Sequence, residues 1–377
     1  MAQFPSWVFN NSLSNLVFLK LKDCKYFLCL PPLGLLSSLK TLEIRGLDGI
    51  VSIGAEFYGS NSSSFVSLER LEFYKMKEWE EWECKTTSFP RLQHLSVNEC
   101  PKLKGLSEQL LHLKILAIHD CDKLIISKNN MDTSSLEFLR IDACPLVNIP
   151  MTHYDFLEEM RIDGSFHSLT IFPLDFFPKV SLLYLRRCEN LRRISQGYTH
   201  NRFNKLSIED CPQFESLPSM QILLPSLTEL RIIDCPKVEM FPYGGLPSHV
   251  KDVSLSSVKL LASLRENLDA NTCLESLWIE KVEVESFPDE VWLPHSLTSL
   301  QIFNCRNLKK MEYKGLCHLS SLILYDCPNL QCLPKEGLPI SISCLQIWNC
   351  PLLKQRCQNP KGQDWAKIAH IQRLTIW

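Results

Sequence analysis

The feature that most constrains this chain is a short frame that returns about every 23 residues, a period in the range of stacked repeats. Its clearest copy is Leu227-Thr-Glu-Leu230-Arg-Ile232-Ile-Asp-Cys235-Pro236. The same frame starts at Leu92, Leu113, Leu136, Phe203, Leu297, Leu319 and Ile342. Weaker copies start at Leu16, Leu39, Leu68, Leu157, Val180, Val250 and Leu274, which makes fifteen in all. With 377 residues the chain is too long for one globular core. A stack has no such limit, because each repeat touches only its neighbours.

Leu230 and Ile232 alternate, so both point to one face of a short strand. Leu227 precedes them by three positions and Cys235 follows by three, and both turn into the same interior. One such coil cannot bury its apolar face alone; stacked neighbours do it for each other. The expected fold is an α/β solenoid. It is a curved leucine-rich-repeat horseshoe with one short parallel β-strand per repeat and a mostly irregular convex side. Residues 1–15 read as a partial N-terminal repeat, 16–362 as the leucine-rich-repeat domain, and 363–377 as a C-terminal capping segment with a helical turn near Gln363 to His370.

Ten of the seventeen cysteines fall on the inward position after the strand: Cys24, Cys100, Cys121, Cys144, Cys188, Cys211, Cys235, Cys305, Cys327 and Cys350. A thiol is small, tolerates burial and donates weakly, so it suits a bend where backbone carbonyls need a partner. Six of the ten precede proline, which fixes φ and needs no acceptor. A second apolar pair, such as Phe214 with Leu217 or Val238 with Phe241, fills the outer side.

Composition narrows the function. The net charge of −2 and pI near 6.6 supply no basic field for nucleic acid. No apolar run approaches a membrane span. The start, Met1-Ala-Gln-Phe-Pro-Ser-Trp7, lacks a basic segment followed by an apolar core, so no secretory signal is expected. Repeat-locked cysteines in odd number read as reduced thiols, which points to the cytoplasm or nucleus. The sequons at Asn10 and Asn61 then read as chance.

Chemistry-bearing motifs are missing. Gly49 and Gly54 have the spacing of a phosphate loop, but Ala55 and Glu56 replace its Lys-Ser/Thr. There is no His-Glu-x-x-His and no Cys-x-x-Cys. His94 and His119, on strands of neighbouring repeats, are expected close together, yet the nearby cysteines should face inward, away from them. The reading is a non-enzymatic chain with no cofactor and no metal.

What remains is the face formed by the strand positions between the leucines. There Arg140, Asp142, Arg161, Asp163, Arg186 and Arg187 form a charged block on three successive strands, with Tyr184 among them. Trp278, Phe303, Tyr325 and Trp348 place an aromatic on each of the last four full repeats. Exposed aromatics and arginines dominate protein-binding energy. The block is equally readable as a ladder that satisfies itself, and the strip as a contact with a neighbouring domain. Residues 74–84, rich in Glu and Trp, read as a convex turn with Trp79 and Trp82 tucked onto the stack rather than as a binding loop.

These motifs resemble a family. Leu30-Pro-Pro-Leu-Gly-Leu-Leu-Ser-Ser-Leu-Lys-Thr-Leu-Glu-Ile44, followed by Gly46-Leu-Asp-Gly-Ile-Val-Ser-Ile-Gly-Ala-Glu-Phe-Tyr-Gly59, looks like the repeat region of plant coiled-coil nucleotide-binding leucine-rich-repeat disease-resistance proteins. Glu78-Trp-Glu-Glu-Trp82, the recurrent Asp/Asn-Cys-Pro and the ending Asp364-Trp-Ala-Lys-Ile-Ala-His370-Ile are similar to that family as well. The resemblance implies a recognition module of an intracellular immune receptor. Its partners would be a pathogen effector or a guarded host protein, and the nucleotide-binding domain of the full-length receptor. The coiled-coil and nucleotide-binding segments of that family are not in this sequence, so nucleotide binding is not carried over. An alternative is a stand-alone adaptor, such as the substrate-recruiting arm of a ubiquitin ligase.

Overall fold

The computed structural model describes residues 13–377 apart from 25, 60–63, 84–87, 108–109, 111, 127–133, 267–272, 288–292, 295 and 313–317. The first twelve residues of the partial repeat, both sequons and most of the polar tip at 60–64 therefore lie outside the described residues. The chain forms two compact units, Met1–Leu191 and Arg192–Trp377.

The frame becomes strands in both. The first unit contains β1 (Phe18–Lys22), β2 (Thr41–Arg45), β3 (Arg70–Tyr74), β4 (His94–Asn98), β5 (Ile115–His119), β6 (Phe138–Asp142), β7 (Glu159–Asp163) and β8 (Leu182–Arg186). Each pairs in parallel with the next, leucine opposite leucine except at Met160 of β7. The second unit contains β9 (Lys205–Glu209), β10 (Glu229–Ile233), β11 (Asp252–Leu255), β12 (Ser276–Glu280), β13 (Ser299–Phe303), β14 (Ser321–Tyr325), β15 (Cys344–Trp348) and β16 (Arg373–Ile376), in the same parallel register. All fifteen frames, and a sixteenth partial one at Ile371, thus carry one strand each.

Register explains burial. Because each strand sits level with the next, Leu95 stacks on Leu116 and Leu139, and Val97 on Ile118 and Ile141. None of these six is more than 1% exposed. The parallel strands need a long return, and the outer apolar pairs fill it: Phe214, Leu217, Val238 and Phe241 are all buried.

The bend after each strand is built the same way. The residue before the cysteine position has φ between 49° and 64° in fourteen of the fifteen repeats, including Asp23, Asp120, Asp210, Asp234, Asn304, Asp326 and Asn349. Asp and Asn tolerate this left-handed region better than other side-chain-bearing residues. The turn points the residue's N–H at the last carbonyl of the next strand, as from Glu99 to His119 (2.8 Å) and from Asp326 to Trp348 (3.0 Å). The following thiol then donates to the carbonyl two residues back. All ten cysteines of the frame do this, at 3.2–3.6 Å. Nine of the ten are buried and Cys24 is half-buried. In the repeat from Leu157 a buried Ser165 takes the place of the thiol and donates to Asp163 O at 3.2 Å.

The repeat from Val250 departs from the pattern. Its bend after the strand has neither a left-handed residue nor a thiol; a helix, Val258–Glu266, follows the strand instead. Leu260, Leu261 and Leu264 bury its inner side. The long repeat from Leu39 departs too. It holds Phe57, Tyr58 and Phe65, which join Phe73, Trp79, Trp82 and Phe89 in one packed aromatic cluster. Trp79 is fully buried and gives its Nε1–H to Glu81 O, while Trp82 gives its own to the Tyr58 hydroxyl. The two tryptophans are therefore core, as the packed reading of 74–84 expects. Gly34 lies against this cluster: a Cβ there would stand 2.4 Å from Tyr58 O.

Candidate functional site

In the second unit the strand register sets side chains in rows on the face away from the core. One row runs Glu280, Phe303, Tyr325, Trp348. The next runs Ser254, Trp278, Gln301, Ile323, Gln346, Thr375. Trp278 and Phe303 stack at 4.2 Å between ring centroids, and Phe303 and Tyr325 at 5.4 Å. Trp348 stacks on Trp377 at 5.6 Å. Tyr325 is 42% exposed and Trp377 64%, while Trp278, Phe303 and Trp348 are half-buried. The four aromatics named from sequence thus share one surface, and the structure adds Trp377. The signal for it was present: Ile371-x-x-Leu374-x-Ile376 repeats the frame, which places Trp377 level with Trp348. Its N–H continues the ladder to Ile347 O. Tyr325, Trp348 and Trp377 also line a cleft of about 390 Å³ with Asn349, Pro351 and Lys354.

Sequence reasoning passed over Arg231. Its side chain crosses the short Ser254 and lies 5.0 Å from the Trp278 ring centroid. Its guanidinium is 2.6 Å from Glu209 and 3.7 Å from Glu280. The strip therefore ends in a partly buried charge cluster rather than in solvent.

In the first unit the charged block is self-paired. Arg140 bonds Asp142 on its own strand at 2.5 Å. Arg161 turns to Glu159 rather than to Asp163. Arg187 bonds Asp163 at 2.5 Å, and Arg186 stands 4.0 Å from the same carboxylate. Tyr184 is half-buried between the inward leucines of β8. Neighbouring strands carry the three main arginines, but each has a carboxylate partner.

The histidine expectation is corrected. Parallel register puts His94 opposite Ile115 and His119 opposite Asn98, so they sit at opposite ends of adjacent strands. Burial, then Arg70, hold His94 below the ordinary imidazole range. His119 faces Asp120 and Asp142 instead. Several frame thiols are the reverse of activated, while Cys350 is lowered by its hydrogen bond with Cys327. Hydrogen bonding between thiols of adjacent repeats, then burial, push Cys144, Cys235 and Cys327 far up. Cys305 is raised to about 11 by burial. Among the described residues no His, Cys, Asp or Glu cluster is placed to hold a metal ion. No described helix is long and apolar enough to cross a membrane.

The family described as R13L1/DRL21 LRRs matches residues 2–47. "Putative disease resistance RPP13-like protein 1" of Arabidopsis thaliana is 30% identical over 252 residues, covering 62% of this chain and 22% of that protein. "Putative disease resistance protein At3g14460", also of Arabidopsis thaliana, is 29% identical over 399 residues, 96% of this chain and 24% of that protein. The chain thus spans about a quarter of the length of these curated relatives. Among solved structures, the leucine-rich repeat domain of the type III effector XCV3220 (XopL) aligns with a TM-score of 0.42 at 19% identity, over 63% of this chain and 75% of that one. So loose a superposition adds nothing to the strand register, which carries the fold. By its frame and its sequence, the chain is a leucine-rich-repeat region related to plant disease resistance proteins.

Proposed function

We propose that this chain is the protein-recognition module of a plant intracellular immune receptor, working in the cytoplasm or nucleus. It senses a pathogen effector or a guarded host protein through the face of β12 to β16, and restrains the nucleotide-binding switch domain of the same receptor. The observation that carries this is the run Trp278, Phe303, Tyr325, Trp348 and Trp377, aromatic side chains held on strand positions that face away from the core. Large aromatics are the commonest sources of binding energy, about 2 kcal/mol or more each at the centre of an interface. The arginine block supports the reading less, since exposed paired arginines contribute about 0–1 kcal/mol.

Tyr325→Ala and Trp348→Ala, made together in a receptor carrying this chain, test it. Recognition in a plant-cell response assay should fall at least about tenfold, the effect of losing roughly 1.4 kcal/mol. The thermal midpoint of the purified chain should stay within about 2 °C. A response of wild-type strength would remove the proposal.

A further inference from the structure

The rings on the recognition face stack from repeat to repeat, with one break. Trp278 meets Phe303 at 4.2 Å and Phe303 meets Tyr325 at 5.4 Å; past the break, Trp348 meets Trp377 at 5.6 Å. Tyr325 and Trp348 lie level on adjacent strands, just as Phe303 and Tyr325 do. Yet these two rings make no contact with each other. Trp348 gives its Nε1–H to Gln346 Oε1 at 3.3 Å, two residues back on β15. That bond ties the indole to its own strand rather than to the ring on the next one. The cleft of about 390 Å³ opens at this break, lined by Tyr325 from β14 and by Trp348 and Trp377 from the repeats that follow.

The cleft carries one cation. Pro351 and Lys354, from the helix that leaves β15, complete its lining with Asn349 and Cys350. On the same helix Arg356 is committed to Asp364 at 2.8 Å. Lys354 is exposed and has no carboxylate partner among the described residues. Asp326, one repeat back, accepts from Asn349 Nδ2 at 2.6 Å and does not line the cleft.

We propose that the break between Tyr325 and Trp348 is a slot for one aromatic side chain of the partner protein, and that an acidic residue beside that aromatic pairs with Lys354. This rests on the recognition reading above and names the group recognised. The inserted ring completes the interrupted run, and ring pairs add to affinity beyond the area they bury. An aliphatic side chain fills the same space without that gain. The cleft lies at the low end of pocket sizes, about 300–1,000 Å³, which suits one side chain and its neighbour. A basic neighbour would meet Lys354 as a like charge, so the charge selects the partner and its register more than it adds raw affinity.

Four labelled peptides on one glycine–serine background test this on the full chain by fluorescence anisotropy. The central pair is phenylalanine or leucine, followed by glutamate or lysine. The phenylalanine–glutamate peptide should bind about three- to tenfold tighter than its leucine counterpart. It should bind about two- to fivefold tighter than its lysine counterpart, a gap that narrows as salt rises. Tyr325→Ala should abolish the first gap and keep the second. Lys354→Glu, at an exposed position, should reverse the second gap and keep the first. Equal binding of the phenylalanine and leucine peptides, an unreversed order in Lys354→Glu, or no binding of any of the four would overturn the proposal. The recognition reading is decided separately, in cells. A lost response from the double alanine variant, beside no aromatic preference here, keeps that reading and discards the slot. An aromatic preference beside a response of wild-type strength removes the recognition reading instead.

Discussion

A thiol three positions past the second inward strand residue fills the interior and also closes the bend above it. Cys235 shows both roles: it is 4% exposed and reaches Ile233 O at 3.3 Å and Ile208 O, in the preceding repeat, at 3.6 Å. Its position and inward direction were legible from the spacing alone. The left-handed residue before it was not. Asp and Asn are frequent there, but so are Lys75, Arg187 and Lys281, so no residue type marks the position. The conformation is imposed by the need to keep donating to the next strand. Ala143, at φ 50°, has neither the freedom of glycine nor the short polar group of Asn. Ala143→Gly should therefore stabilise the first unit by about 0.5–1 kcal/mol, read as a higher urea midpoint. A lower midpoint would mean that the bend is not strained at that residue.

At the scale of elements, each strand was visible because leucines at period 2 inside a period near 23 have no other reading. Side-chain partners were less visible. Arg161 was expected within a three-strand block, yet it turns to Glu159 two residues away, on its own face of the strand. Two positions apart on a strand is also the Arg140–Asp142 relation. Sequence gives which face a charge occupies and leaves open which neighbour it selects.

The segment after β15 adds a second electrostatic device. The helix Pro351–Arg356 and the turn Trp365–Lys367 bring Arg356 and Lys367 each to 2.8 Å from Asp364, which is fully buried. Burial would raise that carboxyl, but Arg356, Lys367 and the Leu333 N–H together hold it below the ordinary range. A depressed carboxylate contributes stability above its unfolded value, near ~3.9, and loses it as pH falls through the folded value. Asp364→Asn should accordingly lower the urea midpoint at pH 7 by the equivalent of about 2 kcal/mol. That is less than the ~3–5 for a wholly buried pair, since both cations reach water. The gap should close below about pH 4. A gap that persisted at acid pH would assign the effect to packing.

At the scale of the molecule, fold class was legible and partner was not, for one reason. Inward positions obey a rule that every repeat repeats, whereas outward positions answer to something outside the chain. Trp278 on β12 and Ile323 on β14 occupy the same row, and nothing in the frame distinguishes them. The face assigned to recognition is whatever the inward frame leaves over, so the account stands on that register. The most direct test is thiol labelling of the native chain, followed residue by residue by mass spectrometry. Among the described cysteines the exposed Cys29 and Cys273 should react fastest, and buried Cys100, Cys144, Cys235 and Cys327 about a hundredfold or more slowly, becoming equal only in denaturant. Frame cysteines labelled as fast as Cys273 in the native chain would contradict the register, and with it the surface on which the aromatic strip is placed.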